Sequence, residues 1–427
     1  MADIYLTLLI LGCIACLGWG LDKMSRLYQY PFFMAGMFIA YLVPQAVALF
    51  LNPALLPSQK ALERVLLMSA LCIFMCLASI LFPVSLKQAS SLSISLNLKR
   101  LFRGGVVLSA IGFVFTILAS RTSFSRNAIG QATGIGTILS TFTYVSIPGL
   151  AMVVTVALKR PLLLHYWALA FAAMVPAYRM IVLGRRETTA AFLMTIGLAL
   201  FFQKRITVPR PVAIGAIVFA LLAIPLIGQY RTISISGNWD QLWQLNPLET
   251  FQKMVETSSD LELRYAALSM DATVNTHQYG YGSGYWNELV FRFVPGQWFG
   301  RDFKEGLMLK LQTFSLNDLY GYVPNPGFVM SGVGDTFMEF DYLGCFVFFG
   351  FGYLYKVIWT AAVRFDSLSS QLIYISSIPG LLKIVSHGTQ STVADITFTL
   401  VFVFSVFLYA RQPIRSSSAL KPNPSIY

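Results

Sequence analysis

Long apolar stretches are the feature that most limits what this chain of 427 residues can fold into. A helix that crosses the hydrocarbon core of a bilayer needs about 20 mostly apolar residues. The windows that meet this requirement lie near residues 4–21, 30–51, 65–83, 105–120, 135–158, 162–178, 187–203, 211–228, 341–361, 368–386 and 393–410. The sequence therefore predicts an all-α polytopic membrane protein with about eleven transmembrane helices.

The composition excludes most soluble functions. Only 12% of the residues are charged, whereas a soluble domain carries about a quarter. A soluble enzyme and a nucleic-acid-binding protein are therefore excluded, although the net charge is +12. In a membrane protein, an excess of Lys and Arg usually reflects topology.

Residues 229–339 differ from the sequence on either side. They contain 12 of the 19 acidic residues, four of the seven tryptophans and seven of the twenty tyrosines. This composition predicts a folded extracytoplasmic subdomain between helices 1–8 (residues 1–228) and helices 9–11 (residues 340–410). A capping pattern from Ser259 to Glu262 predicts a helix in its middle, and Gly and Pro predict turns and irregular segments in its second half. Residues 411–427 are predicted to be a disordered cytoplasmic tail.

Basic residues outside this insert predict the orientation of the chain. Sixteen lie in one set of alternate loops and in the tail, and eight lie in the opposite set. Since cytoplasmic loops are enriched in Lys and Arg, the first set is assigned to the cytoplasm and the insert to the exterior. Arg179, Arg185 and Arg186 then lie outside, where the topology rule does not explain them.

A helix N terminus offers free N–H groups and a positive dipole end, so it favours an anion. Arg185 and Arg186 begin the window at 187–203, and Arg179 ends the preceding one. Guanidinium groups there suit a pyrophosphate bound bidentately. The alternative is that these arginines reach lipid headgroups or pair with Glu187. Arg264, Arg292 and Arg301 of the insert are further candidates for an anionic substrate, with structural roles as the alternative and Asp260 as the local partner of Arg264.

Acidic and aromatic residues supply the remaining candidates. Asp335, Glu339 and Asp341 cluster where the insert re-enters the membrane, and Glu339 or Asp335 is preferred as a general base, with His277 behind them. The alternative is that these acids stabilise a helix N terminus.

Tyr281, Tyr285 and Trp286 suit stacking on sugar rings, or an aromatic belt at the membrane interface. Metal-ligand spacings, a phosphate loop and a nucleophile elbow are missing from the sequence, so neither a cofactor nor a metal is expected.

These features together resemble the oligosaccharide repeat-unit polymerases, the O-antigen and exopolysaccharide polymerases related to the O-antigen ligases. The similar segments are 184–188 (Gly-Arg-Arg-Glu-Thr), 282–285 (Gly-Ser-Gly-Tyr) followed by 293–295 (Phe-Val-Pro), and 334–344 at the exit of the loop. Two positions depart from the family pattern. Gly296 stands where relatives often carry Arg, and Asp341 replaces the first Gly of a Phe-Gly-x-x-Gly motif.

The resemblance implies a GT-C-like membrane glycosyltransferase at the outer face of a bacterial cytoplasmic membrane. Such an enzyme transfers a glycan from a polyprenyl-diphosphate carrier to another lipid-linked repeat unit. The implied partners are polyprenyl-diphosphate-linked oligosaccharides, membrane lipid, a flippase and a chain-length regulator, with no nucleic acid. The resemblance does not separate a polymerase from a ligase, which differs in its acceptor. A flippase or other transporter is a weaker alternative, because the predicted spans carry few charges.

Overall fold

The computed structural model describes residues 1–122, 125–126, 132–133, 135–257, 261–325 and 328–412, and these residues are predominantly helical. The first half contains α1 (Ala2–Asp22), α2 (Tyr30–Met37), α3 (Val43–Leu51), α4 (Gln59–Ala78), α5 (Leu86–Ser91), α6 (Leu98–Ser120), α7 (Ile135–Thr143), α8 (Ser146–Lys159), α9 (Leu163–Ile181), α10 (Arg186–Lys204) and α11 (Arg210–Ser236). A short antiparallel ladder pairs β1 (Ser125–Arg126) with β2 (Ala132–Thr133).

The second half contains α12 (Pro247–Thr257), α13 (Glu262–Thr276), α14 (Ser283–Phe293), α15 (Gly296–Phe299), α16 (Arg301–Gly306), α17 (Leu316–Tyr320), α18 (Gly332–Phe340), α19 (Phe346–Arg364), α20 (Leu368–Leu381), α21 (Lys383–His387) and α22 (Thr389–Ala410). Short 3₁₀ turns lie at Met24–Tyr28, Pro53–Leu55, Trp239–Gln244 and Asp341–Cys345, and Phe38–Leu42 forms a π-helical turn between α2 and α3.

Nine helical segments among the described residues are long and apolar enough to cross a membrane. They are Ala2–Asp22, Tyr30–Leu51, Gln59–Ala78, Leu98–Ser120, Ile135–Lys159, Arg210–Ile227, Gly332–Arg364, Leu368–His387 and Thr389–Ala410. Only 6% of the most apolar window of Arg210–Ile227 is buried, so its apolar side chains need a lipid environment. The prediction of an all-helical, multi-pass membrane protein is confirmed at this level.

The number of candidate spans is nine instead of the predicted eleven. The predicted windows at 162–178 and 187–203 form helices, α9 and α10, but these two are not among the nine. Each has 19 residues, which gives a length of about 28 Å at 1.5 Å per residue. Polar residues at both ends shorten their apolar stretches, as His165 and Arg179 do in α9.

The chain divides into two compact units. Unit 1 comprises Met1–Leu81, Val208–Tyr353 and Leu382–Ala394; unit 2 comprises Phe82–Thr207, Leu354–Leu381 and the residues from Asp395 onward. The predicted insert at 229–339 lies within unit 1, where its helix α13 packs against α4 and α18. The insert therefore shares a core with candidate membrane spans.

The insert is more helical than its Gly and Pro content predicts. Helix α14 occupies 11 residues of the half predicted to be irregular, and it ends before Pro295, which disfavours helical conformation in the residue before it. The predicted middle helix is α13, which begins at Glu262. The rest of its predicted capping pattern, Ser259 and Asp260, lies outside the described residues, as do residues 413–427 of the predicted disordered tail.

In unit 2, α6 and α8 cross at small residues. A Cβ on Gly149 would lie 2.6 Å from Ser109 Oγ, and one on Gly112 would lie 2.7 Å from Ser146 Cβ. Small residues let helix backbones approach closely, which is a common way to pack helices in a membrane. This crossing forms part of the support on which α9 and α10 pack, since both helices also contact α8.

The α9–α10 hairpin runs along the whole of α8. At one end, His165 Nδ1 lies 2.6 Å from the Arg160 carbonyl. At the other end, Arg179 donates a hydrogen bond to Thr143 Oγ1, just before α8 begins. The turn between α9 and α10 therefore lies at the opposite end of α8 from Arg160, as expected of a hairpin that crosses the same layer as α8.

Candidate functional sites

Helix α18 carries two buried acids on one face. Asp335 and Glu339 are four residues apart, so their side chains project from the same side of the helix, and both are buried. A carboxylate removed from water needs hydrogen-bond donors or a cation. The partners of each acid therefore indicate what it does.

The Asp335 carboxylate caps the N terminus of α22. The N–H groups of Thr389 and Gln390 donate to its Oδ2 at 2.6 and 3.0 Å, and Thr389 Oγ1 lies 3.1 Å from Oδ1. The first N–H groups of a helix have no partner within it, and negative charge there interacts favourably with the helix dipole. These contacts match the alternative in which the acids stabilise a helix N terminus.

The Glu339 carboxylate holds the glycine-rich turn that precedes α14. The N–H groups of Gly282 and Gly284 donate to it at 2.6 and 3.1 Å, and Gln390 Nε2 donates at 3.0 Å. A Cβ on Gly280 or Gly284 would collide with this carboxylate, so the close approach requires glycine at both positions. Glu339 thereby joins the turn to α18 and α22.

These contacts favour positioning roles for Asp335 and Glu339, and the prediction that one of them is the general base stays a prediction. His277, the third catalytic candidate, caps the C terminus of α13 with φ of 55° and is exposed. Among the described residues, no hydrogen bond joins His277 to either acid.

The three predicted sugar-stacking residues occupy different environments. Tyr281 is 74% exposed and its ring lies 6.2 Å from that of Tyr279. Tyr285 points inward: its ring stacks on Phe340, its hydroxyl lies 2.6 Å from Thr389 Oγ1, and burial raises its pKa. Trp286 Nε1 donates to the Leu307 carbonyl at 2.8 Å. Of these three residues, only Tyr281 lines the open cavity that lies beside the turn.

An open cavity of about 700 Å³ lies beside this turn in unit 1. We name it the tyrosine pocket. Its volume is in the range of small-molecule sites, and its wall combines aromatic and aliphatic side chains with one carboxylate. The lining residues include Tyr279, Tyr281, Phe340, Asp341, Leu343 and Phe346.

Asp341 has a backbone conformation that glycine adopts more easily. Its φ is 54° and its ψ is −147°, a combination that costs a residue with a side chain about 1–3 kcal/mol. It is the position at which the sequence departs from the Phe-Gly-x-x-Gly motif of the resembling family. The second glycine, Gly344, is retained, and a Cβ there would collide with the Thr336 carbonyl.

Arg64 is a functional candidate that the sequence analysis did not single out. Its Nη1 lies 2.7 Å from Asp271 Oδ1, and the two side chains are 14% and 7% exposed. Burial and the hydrogen bond to Asp271 raise the pKa of Tyr320 to about 12. Burial and the Asp341 charge raise the pKa of Tyr279, which the Arg64 charge opposes. Arg64 therefore acts electrostatically on a wall of the tyrosine pocket.

The predicted arginines of the insert have separate local partners. Arg264 Nε donates to the Leu55 carbonyl at 2.9 Å, and its guanidinium lies over the Tyr322 ring. Arg292 lies 3.8 Å from Glu288 on its own helix. Arg301 is 85% exposed and pairs with Glu305 at 2.7 Å. No contact among the described residues gathers these three around one point, and none of them lines the tyrosine pocket.

The remaining predicted arginines lie together in unit 2, at residues 179–186, which we name the arginine turn. Arg179 is buried and lies over the Tyr144 ring at 4.4 Å. The Arg185 N–H donates to the Arg179 carbonyl at 3.1 Å. Helix α10 starts at Arg186, and both Arg185 and Arg186 are exposed. The sequence therefore placed these arginines correctly relative to their helices.

The arginine turn has more hydrogen-bond donors than partners. Among the described residues, Arg179, Arg185 and Arg186 form no ion pair, and Glu187 accepts a hydrogen bond from Tyr144. Arg179 Nε and Thr188 Oγ1 are buried without a hydrogen-bond partner in that part of the chain. Buried donors normally have partners. Excess donors at a helix N terminus are the arrangement that an anion satisfies.

Comparison with known proteins assigns neither site to a family. The chain matches no protein-family model, no curated protein and no solved structure. Among the described residues, no group of three or more His, Cys, Asp or Glu side chains could hold a metal ion.

Proposed function

We propose that this protein is a membrane glycosyltransferase that polymerises polyprenyl-diphosphate-linked oligosaccharide repeat units. It acts at the outer face of a bacterial cytoplasmic membrane and builds a surface polysaccharide. The observation that carries this proposal is the arginine turn, where three arginines that form no ion pair with another described residue lie next to the N terminus of α10. A lipid diphosphate carries the negative charge that these guanidinium groups and the helix N terminus favour.

The chemistry follows from the leaving group. A hydroxyl of the acceptor sugar forms a bond to the anomeric carbon of the donor glycan, and the bond from that carbon to the diphosphate oxygen breaks. The proton of the hydroxyl passes to a base, and the negative charge that develops on the diphosphate needs stabilisation. Guanidinium groups and helix N–H groups aimed at that charge lower the barrier, and they do so without a nucleotide.

The multi-pass architecture supports the same proposal, since a polyprenyl carrier remains in the membrane. Because the α9–α10 hairpin follows α8 over its length, the arginine turn lies at one end of the helical layer and not in its middle. A diphosphate at the membrane surface, attached to a buried polyprenyl chain, would lie at such a level.

Alanine substitution of Arg185 and Arg186 tests the proposal. Both side chains are exposed, so the variants are expected to fold. We expect the double variant to lower polymer yield in a deletion strain at least about tenfold and to accumulate single repeat units. Lysine variants should retain part of the activity, because lysine keeps the charge but loses bidentate geometry.

The matched control is Lys204→Ala, an exposed basic residue at the opposite end of the same helix. It should leave chain length unchanged at equal membrane abundance. Wild-type polymer from the Arg185/Arg186 double variant would contradict the proposal. Polymer of normal length that is not transferred to its final acceptor in the deletion strain would indicate a ligase instead.

A further inference from the structure

The carboxylate of Asp341 differs from those of Asp335 and Glu339 in forming no hydrogen bond with another described residue. Asp335 and Glu339 accept hydrogen bonds from backbone N–H groups. The Asp341 carboxylate forms no hydrogen bond or ion pair with another described residue, and it is only half-buried. It lines the tyrosine pocket, so a molecule that enters the pocket meets this carboxylate.

The backbone at Asp341 is strained by the presence of a side chain. With φ of 54° and ψ of −147°, a glycine would relieve the strain at no cost to the turn. Residues held in such sparsely populated conformations cluster at active sites and ligand-binding sites. The neighbouring Tyr281 also has positive φ, 46°, so the pocket is flanked by two strained residues that carry polar side chains.

The remaining wall of the tyrosine pocket suits one class of ligand. The faces of Tyr279 and Tyr281 and the side chains of Phe340 and Phe346 offer apolar surface, which packs against the C–H faces of a sugar ring. The carboxylate accepts hydrogen bonds from hydroxyl groups. An anionic group would be repelled by Asp341, and the nearby Arg64 already pairs with Asp271. A neutral sugar fits these conditions better than a phosphate.

We propose that the tyrosine pocket binds a neutral sugar of the glycan substrate, and that the Asp341 carboxylate accepts hydrogen bonds from the hydroxyl groups of that sugar. The inference rests on the proposed function. The carboxylate thereby selects a sugar by its hydroxyl groups, and the general base stays the prediction made for Glu339 or Asp335.

Glu339 positions the part of the pocket wall that Tyr281 forms. Its backbone carbonyl accepts the Tyr281 N–H at 3.0 Å, and the neighbouring Met338 carbonyl accepts the Gly280 N–H at 3.0 Å. With the two bonds to the Glu339 carboxylate, four hydrogen bonds attach this turn to the end of α18. They hold Tyr281 beside Asp341.

Two substitutions of Asp341, assayed in the full-length protein, test the inference. Asp341→Asn keeps the size of the side chain and removes its charge, whereas Asp341→Gly also relieves the backbone. We expect polymer yield to fall at least about tenfold in both, because each variant loses the charge-assisted hydrogen bonds from the carboxylate to the sugar hydroxyl groups. The thermal unfolding temperature of Asp341→Gly should be equal to or above that of wild type. The control is Asp302→Asn, which changes an exposed acid of the insert and should behave as wild type.

A binding measurement tests sugar recognition without the polymerisation reaction. Saturation-transfer NMR on the purified protein, with methyl glycosides of glucose, galactose, mannose and N-acetylglucosamine as probes, should give signals with at least one of them. Those signals should weaken in Tyr281→Ala and persist in Lys204→Ala. No saturation transfer with any probe, or transfer that Tyr281→Ala leaves unchanged, would overturn the sugar assignment.

The outcomes also separate this inference from the proposed function. Normal polymer from Asp341→Asn, together with loss in the Arg185/Arg186 double variant, would overturn the role of Asp341 and leave the proposed function standing. Normal polymer from all of these variants would remove both. An Asp341→Gly protein that is more stable and fully active would show that the strained carboxylate has no part in the reaction.

Discussion

The Glu339 carboxylate lies among three hydrogen-bond donors, and two of them are backbone N–H groups of the turn at Gly282 and Gly284. An amide at position 339 offers one oxygen and one NH₂ group, so in either orientation a donor faces a donor. A buried donor left without an acceptor costs about 1–3 kcal/mol. Substitution of Glu339 therefore distinguishes a residue that positions the turn from a residue that accepts a proton.

We predict that Glu339→Gln lowers the thermal unfolding temperature of the purified protein and weakens polymer formation as a consequence. Glu305→Gln is the control, because Glu305 forms an exposed ion pair, and such pairs contribute little. Unfolding can be followed by circular dichroism in detergent, with polymer measured in cells. A Glu339→Gln protein of unchanged stability that makes no polymer would instead restore Glu339 as the base.

At the scale of elements, the crossing of α6 and α8 depends on the absence of side chains. A Cβ at position 149 would lie 2.6 Å from Ser109 Oγ and 2.7 Å from the Ser109 backbone nitrogen. The backbone cannot yield as a flexible side chain can, so the helices must separate. Overpacking of this kind typically costs about 1–3 kcal/mol.

We predict that Gly149→Ala lowers the thermal unfolding temperature, while Gly197→Ala in α10 does not, because a Cβ at position 197 meets nothing within 4 Å. Alanine also favours helix over glycine, so the control should be neutral or slightly stabilising. Equal stability of the two variants would show that the α6–α8 crossing is looser than described.

At the scale of the whole molecule, the proposed chemistry requires the arginine turn and the insert to lie on the outer side of the membrane. The five native cysteines are free and buried, so the wild-type protein should react slowly with a membrane-impermeant maleimide. Exposed positions converted to cysteine then report their side of the membrane. Val182 lies in the arginine turn, Trp298 in the insert and Lys204 at the far end of α10, and all three are exposed.

We predict that Val182→Cys and Trp298→Cys are labelled on intact cells or spheroplasts, and that Lys204→Cys is labelled only after permeabilisation. The reason is the proposed topology, in which the arginine turn and the insert both lie at the outer face and α10 leads from there to the opposite face. Labelling of position 182 only after permeabilisation would place the arginine turn in the cytoplasm and contradict the proposed diphosphate site.

The sequence by itself predicted an all-helical, multi-pass membrane protein and the position of the arginines along its helices, because apolar length and helix boundaries are local properties, although it counted eleven spans where nine are found. It identified the windows that form α9 and α10, and it placed Arg185 and Arg186 at the start of a helix. It overestimated irregular structure in the insert, where α14 packs despite flanking Gly and Pro residues.

Only the tertiary structure decided what the three acids near residue 340 do. The donors that engage Asp335 and Glu339 come from residues 54 and 57 positions away along the chain, so no local pattern distinguishes these acids from Asp341. The same holds for Arg64, whose partner Asp271 is 207 residues distant. A side chain's chemistry depends on the donors, charges and cavity around it, and folding alone brings these together.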